Sequence, residues 1–129
     1  MRAELHRAAY TGDLPAVTSL ISRGAKLNER EDGIVTPLHA AAYMGHADVC
    51  AALIDAGASL INVPKMGNPL HVAMGRHHPE VVKLLLEKSP RMLQEPDDHG
   101  LTPVHVAVIS DYVEGLRYAL EAGVKLADD

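Results

Sequence analysis

Eight histidines and a single cysteine are the residues of this sequence that could carry out chemistry. Histidine is a common metal ligand and general base near neutral pH, and a cysteine thiolate is a nucleophile. Four of the histidines are separated by 33, 32 and 34 residues: His6, His39, His71 and His105. A period near 33 residues indicates one structural unit repeated four times, so these rings form a spaced column and cannot converge on one ion.

The three later histidines lie in the same short phrase, in which Thr or Asn and then Pro precede an apolar residue and the histidine. Thr36 and Asn68 can accept a backbone N–H at a helix start, and proline fits the first helical position. We therefore expect a short helix at each phrase, with the histidine buried against the backbone of the neighbouring unit. A second helix follows and is expected to end at glycine eighteen residues after the histidine, at Gly24, Gly57 and Gly123, with Ser89 in the third unit.

The remaining candidates for chemistry are weaker. His77 and His78 are adjacent on a turn, and a zinc site there, with Asp48 or Glu80 recruited, is an alternative hypothesis. Cys50 shares its register with apolar residues, which predicts a buried side chain with little thiolate character. Phosphate-binding loops, Gly-x-Ser-x-Gly and paired carboxylates at catalytic spacing are absent from the sequence. The prediction is a chain that is not an enzyme and holds no metal or cofactor.

Composition excludes other classes of function. The chain has 12 basic and 17 acidic residues, a formal charge of −5, so nucleic acid is a poor partner. No apolar run approaches the length that crosses a bilayer, and the first residues run directly into a predicted helix without a signal peptide. One cysteine fits a reducing compartment. We expect a cytoplasmic protein, with the nucleus as a further location, that binds no nucleic acid, membrane or small-molecule substrate.

These patterns resemble the ankyrin repeat family. The resemblance is carried by the histidine phrases, by Gly45-His46 between two helices, by the Gly-Ala pairs at 24–25 and 57–58, and by residues 98–103, which match the β-turn of the family. It covers about residues 3 to 126 and implies an all-α solenoid of stacked helix-turn-helix units with β-turn fingers. We expect a single domain over residues 1–129, with repeats at about 3–28, 32–61, 62–94 and 97–127.

In the ankyrin repeat family, partners usually bind a concave face formed by the fingers and the ends of the first helices. Counting from the repeat histidines places on this face Tyr10, Thr11, Tyr43, Met44, Arg76, Ile109 and Ser110 at the helix ends, and Val35, Lys65, Asp98, His99 and Leu101 in the fingers. Aromatic residues, Met and Arg are typical of interface centres. We name Tyr10, Tyr43, Met44 and Arg76 the tyrosine stripe; the alternative is that its tyrosines only cover the inner helix ends.

The sequence thus predicts a non-catalytic module that binds another protein on its concave face. It is expected to be a monomer, with membership in a longer repeat array as the alternative. Two other functions stay open: the substrate-recognition part of a larger ubiquitin-ligase adaptor or enzyme, and a stand-alone inhibitor that occludes a kinase or transcription factor. Val108 and Ile109 leave the fourth unit more apolar than a terminal repeat needs to be, which favours a longer array or a covered end.

Three local departures from the repeat are visible in the sequence. Ser89 stands where other units have glycine, so the left-handed helix cap should be missing there. Gly115 lies inside the last helix, at a cost of about 1 kcal/mol relative to Ala. Pro64 and a displaced Gly67 are expected to remodel the finger of the third unit.

Overall fold

The computed structural model describes residues 4–127, with the side chains of residues 4–123. The described residues form four helical pairs: α1 (Glu4–Thr11) and α2 (Leu14–Ser22), α3 (Pro37–Met44) and α4 (Ala47–Asp55), α5 (Pro69–Arg76) and α6 (Pro79–Lys88), and α7 (Pro103–Ile109) and α8 (Val113–Ala127). A short 3₁₀ helix, Pro90–Gln94, lies between α6 and α7. The predicted helix-turn-helix order is confirmed.

The first helices begin where the histidine phrases predict. The Thr36 hydroxyl accepts the backbone N–H of His39, and the Asn68 amide oxygen accepts that of His71. Thr102 caps α7 in the same way. Each of these helices has proline at its first position, where a missing N–H leaves no intrahelical bond unmade.

The helices stack in two layers along one direction. In one layer α1 packs on α3, α3 on α5 and α5 on α7, and in the other α2, α4, α6 and α8 follow one another. Small alanines at the contacts let the helices approach closely, and leucines from both layers are fully buried between them: Leu38, Leu53, Leu70 and Leu85. One apolar core therefore runs through all four repeats, which makes the fold a solenoid as predicted.

The fingers that join the repeats close in one register. Antiparallel bridges join Glu31 to Val35 and Val63 to Gly67, and the N–H of Asp97 donates to the carbonyl at position 101 in the next finger. The predicted remodelling of the third unit was therefore wrong for the closure of its finger. Lys65 keeps the left-handed φ of Gly33 in the preceding finger, +71° against +74°, and the change lies at Gly67, whose φ of +75° has no counterpart at Val35.

At the ends of the second helices, the predicted caps at Gly24 and Gly57 and the missing cap at Ser89 are confirmed, and the predicted cap at Gly123 is wrong. Gly24 and Gly57 have the predicted left-handed φ of +85° and +106°, and Ser89 has an extended φ of −156° before the 3₁₀ helix. Gly123 was predicted as a helix cap, but α8 continues through it to Ala127.

Gly115 is a site of close packing and not merely a weak point of α8. A Cβ atom at Gly115 would collide with the Tyr112 ring and lie 2.7 Å from the Met74 sulfur. The missing side chain therefore allows the buried Tyr112 ring to fit between repeats. The Tyr112 hydroxyl is buried and has no hydrogen-bonding partner among the described residues.

The fourth repeat exposes apolar side chains, as predicted. Val108 is 59% exposed, whereas Ala42 and Met74, at the same register in earlier repeats, are fully buried under the repeat that follows them. Ile109, Val113 and Leu120 are also exposed. Over residues 4–127, none of the helices combines the length and the hydropathy needed to cross a membrane.

Candidate partner-recognition surface

The repeat histidines tie each first helix to the finger of the following repeat. The Nε2–H group of each ring donates to a backbone carbonyl at 2.7 to 2.8 Å, in the pairs His6–Val35, His39–Gly67 and His71–Leu101. All three rings are buried, whereas His105 of the fourth repeat is exposed. The predicted structural role of the first three histidines is confirmed, and the fingers are held in place by it.

A bond accepted by Nδ1 of these rings requires a neutral imidazole. Nδ1 of His71 accepts the backbone N–H of Asn68 at 3.0 Å, a bond that a proton on Nδ1 would remove, and Nδ1 of His39 lies 2.6 Å from the Thr36 hydroxyl. Burial lowers the pKa of His39 and outweighs the bond to the Gly67 carbonyl, which raises it. Burial likewise lowers the pKa of His71 against the opposing effect of its backbone bond and of nearby carboxylates.

The protein should therefore lose stability as the pH falls below about 6.5, the ordinary pKa of histidine. Because the pKa values of His39 and His71 are lowered in the folded state, the unfolded chain takes up these protons at a higher pH than the folded protein does. The stabilisation that is present above the pKa of the unfolded chain is therefore lost on acidification. Urea unfolding at about pH 7.5 and about pH 5.5 measures the difference while carboxyl groups stay ionised. His39→Gln should shrink the difference and His99→Gln, in an exposed finger, should not; an equal pH effect in both variants would contradict the assignment.

A second set of histidines reaches back to the preceding repeat and fixes the tyrosine stripe. Nε2–H of His46 donates to the Tyr10 carbonyl at 3.0 Å, and that of His78 donates to the Tyr43 carbonyl at 2.7 Å. The two stripe tyrosines thus project from backbone positions that are anchored between repeats. The predicted structural role of His46 is confirmed.

These turn histidines lie directly over glycines. A Cβ atom at Gly12 would be 2.6 Å from the His46 ring, and one at Gly45 would be 2.6 Å from the His78 ring. Both glycines also have left-handed φ angles, +78° and +81°. Glycine is therefore required at both positions for two reasons: the left-handed backbone conformation and the lack of space for a Cβ atom.

His77 and His78 do not converge as a zinc site requires. His78 donates to the preceding repeat, while Nε2–H of His77 donates to the Ser110 carbonyl of the following repeat at 2.9 Å. The His77 ring also stacks on Tyr112, with 4.6 Å between ring centres. Among residues 4–127, no three His, Cys, Asp or Glu side chains are grouped as metal ligands.

Cys50 is buried inside α4, as its register predicts. Burial, with a smaller effect of the Asp48 carboxylate, raises the pKa of Cys50 to about 12. A thiolate is therefore disfavoured at neutral pH, and the side chain packs as a small apolar group.

The structure brings the tyrosine stripe together on the first three repeats. Tyr10 is 50% exposed and Met44 37% exposed, while Tyr43 is half-buried. The Arg76 guanidinium covers the Tyr43 ring at 4.3 Å from its centre, a cation–π contact. The stripe is thus a mixed aromatic and cationic surface with rigid support, and its role in binding stays a prediction.

A cavity of about 440 Å³ opens beside the stripe. Both tyrosines and Val35 of the predicted set line it, together with five residues that sequence reasoning missed: His6, Arg7, Glu31, Ala40 and Met66. Its wall combines α1 and α3 with two fingers. We call it the stripe cavity.

Some of the predicted finger residues hold the fingers in place through hydrogen bonds, and others are exposed at the finger tips. The Lys65 backbone N–H donates to an Asp98 carboxylate oxygen at 3.0 Å and so joins two fingers. The Leu101 carbonyl accepts the Nε2–H of His71, and the residue is half-buried, so Leu101 helps to hold its finger in place. His99 is exposed at its finger tip.

The remaining predicted residues lie away from the stripe cavity or are engaged locally. The Thr11 hydroxyl donates to the Arg7 carbonyl within α1. The Ser110 hydroxyl donates to the Met74 carbonyl of the preceding repeat at 3.3 Å. Ile109 is exposed on the fourth repeat.

The repeated helical pairs, the two layers and the inter-repeat histidine bonds define this chain as a helical repeat solenoid. A family model described as ankyrin repeats, three copies, matches residues 5–92 and 60–128. The chain belongs to the ankyrin repeat family. Ankyrin repeats are generally protein–protein interaction modules without catalytic activity.

Three proteins that are similar to this chain are each much longer than it. This chain is 40% identical over 122 residues to the nuclear factor NF-kappa-B p105 subunit of Mus musculus. The matched stretch is 92% of this chain and 13% of that protein. The chain is 30% identical over 67 residues to the target of rapamycin complex 2 subunit AVO2 of Saccharomyces cerevisiae, 52% of this chain and 16% of that protein. A putative ankyrin repeat protein of Rickettsia bellii is 39% identical over 59 residues, 45% of this chain and 24% of that protein.

Proposed function

We propose that this chain is a non-catalytic recognition module that binds a partner protein on its concave face, centred on the tyrosine stripe. The observation that carries the proposal is the combination of exposed Tyr10 and Met44 with the stripe cavity beside them. Aromatic and Met side chains next to a concavity are typical of interface centres. Because histidine bonds fix the backbone of both tyrosines, little conformational entropy would be lost on binding.

The relatives support a role within an assembly. Two of them are named as subunits, one of a nuclear factor and one of the target of rapamycin complex 2. This chain covers 13% to 16% of their lengths, so recognition on behalf of a larger protein is a second candidate. The ubiquitin-ligase adaptor and the occluding inhibitor of a kinase or transcription factor belong to the same proposal, since both would use this surface. Cytoplasm, with the nucleus as alternative, is the proposed location.

The test is affinity capture from cell lysate followed by mass spectrometry. We expect partners that bind the wild-type protein to be lost from the double variant Tyr43→Glu/Met44→Asp. Because Tyr43 is half-buried, Tyr10→Glu/Met44→Asp serves as a second variant with less effect on packing. Circular dichroism checks that each variant is folded.

A matched control places the same kind of change elsewhere on the surface. Val113→Glu/Leu120→Asp alters two exposed apolar residues of α8 and should retain the partners. Loss of the same partners from this control, or their retention by both stripe variants, would refute recognition by the concave face. Once a partner is purified, inhibition of its activity by the isolated chain separates an occluding inhibitor from an adaptor.

A further inference from the structure

The charges at the stripe cavity have the opposite balance to the protein as a whole. The chain carries a formal charge of −5. Arg7, however, lines the cavity, where Glu31 is the single carboxylate-bearing residue of the described lining. The Arg76 guanidinium is not in the lining but lies on the ring of Tyr43, which is. None of these three charged residues takes part in the ion pairs of the described residues. Two guanidinium groups are thus available to a partner.

The interior of the cavity is apolar and has room for a large side chain. Tyrosine rings, Val35, Ala40 and Met66 supply apolar walls, and the volume of about 440 Å³ lies within the range of binding pockets, roughly 300–1,000 Å³. The site is open at one side to the concave face, so a side chain can enter while its main chain stays outside. An extended segment of a partner protein has this geometry, because its alternate side chains point in opposite directions.

We infer that the stripe cavity receives an apolar side chain of an extended partner segment, and that acidic residues two positions before and after it, on the same side of the segment, pair with Arg7 and Arg76. This inference rests on the proposed function and names the chemistry of its partner. Guanidinium groups bind carboxylates through paired N–H donors, which gives both strength and orientation. A basic residue at the same place would face two like charges against one carboxylate.

The negative charge of the whole protein does not oppose this preference strongly. Exposed charges are screened beyond roughly 8 Å at physiological salt, whereas a carboxylate paired with Arg7 or Arg76 would be within hydrogen-bonding distance. The Glu31 carboxylate can accept a backbone N–H of the partner segment. Local charge therefore selects the segment, and net charge affects only the rate of encounter.

Two short peptides test the inference on the ¹⁵N-labelled chain by NMR titration. N-acetyl-Glu-Ala-Leu-Ala-Glu-amide, in which Leu and both Glu side chains lie on the same side of an extended chain, should shift the amide signals of Tyr10, Val35, Tyr43 and Met66. N-acetyl-Lys-Ala-Leu-Ala-Lys-amide should bind about fivefold more weakly, the effect of about 1 kcal/mol of exposed ion pairing. Equal binding of the two, preference for the basic peptide, shifts confined to other residues, or no shift with either would overturn the inference.

Charge reversal gives the sharper comparison. Arg7→Glu/Arg76→Glu should reverse the preference in favour of the basic peptide. The control Arg23→Glu/Arg91→Glu makes the same change of net charge at exposed arginines outside the cavity and should leave the preference as it is. If both variants change the preference equally, net charge and not the cavity is responsible, and the inference fails.

Failure of this inference is distinguishable from failure of the proposed function. Partners lost from the stripe variants, together with no preference between the peptides, would keep concave-face recognition and remove the acidic partner. A clear preference for the acidic peptide, together with partners retained by the stripe variants, would keep the cavity chemistry and move the main recognition surface elsewhere.

Discussion

Gly45→Ala is expected to lower the free energy of unfolding by about 3 kcal/mol, the combined effect of left-handed strain and overpacking. Gly45 has φ +81°, and a Cβ atom there would lie 2.6 Å from the His78 ring. The ring cannot move aside without losing its bond to the Tyr43 carbonyl. Urea unfolding followed by circular dichroism measures the loss.

Gly33→Ala is the matched control for this prediction. Gly33 has a similar φ, +74°, but nothing lies within 4 Å of a Cβ atom built there. This change should cost only the conformational part, about 1 kcal/mol. If the two substitutions destabilise the protein equally, close approach of the His78 ring does not constrain Gly45.

Leu70→Ala should also destabilise the protein strongly, by about 3 kcal/mol within the usual range for buried leucines. Leu70 is fully buried in α5, and α5 packs between α3 and α7, so the cavity left by truncation is enclosed on both sides. The same truncation at Leu120, which is 69% exposed on α8, should change stability by no more than about 0.5 kcal/mol. Comparable losses at both positions in urea unfolding would contradict the burial of Leu70.

The fold could be predicted because its determinants are local and repeated. A cap such as Thr36 or Asn68, a following proline and a histidine at fixed distance specify each helix start. Glycines at constant offset specify the turns. Where one repeat differs, as at Ser89, the change in local conformation is also visible in the sequence because it removes a glycine.

Features that depend on contacts between repeats could not be predicted. Gly115 looks like a weak point in a helix, and only the structure reveals the Tyr112 ring packed against it. The extension of α8 past Gly123 has no sequence signal, since glycine is compatible with either outcome. The stripe cavity combines Ala40 and Met66 from different repeats, and neither residue type marks a binding site by itself.

The stacking of repeats in one direction links the binding surface to the local stability of the first repeat. The main packing contacts join consecutive repeats, and the stripe cavity uses α1 of the first repeat together with the two fingers that follow. Opening of the first repeat alone would remove Arg7 and Tyr10 from the cavity while the later repeats keep their packing. Apparent affinity would then scale with the fraction of molecules in which the first repeat is closed, so substitutions in α2, which contributes no residue to the cavity lining, can weaken binding without unfolding the protein.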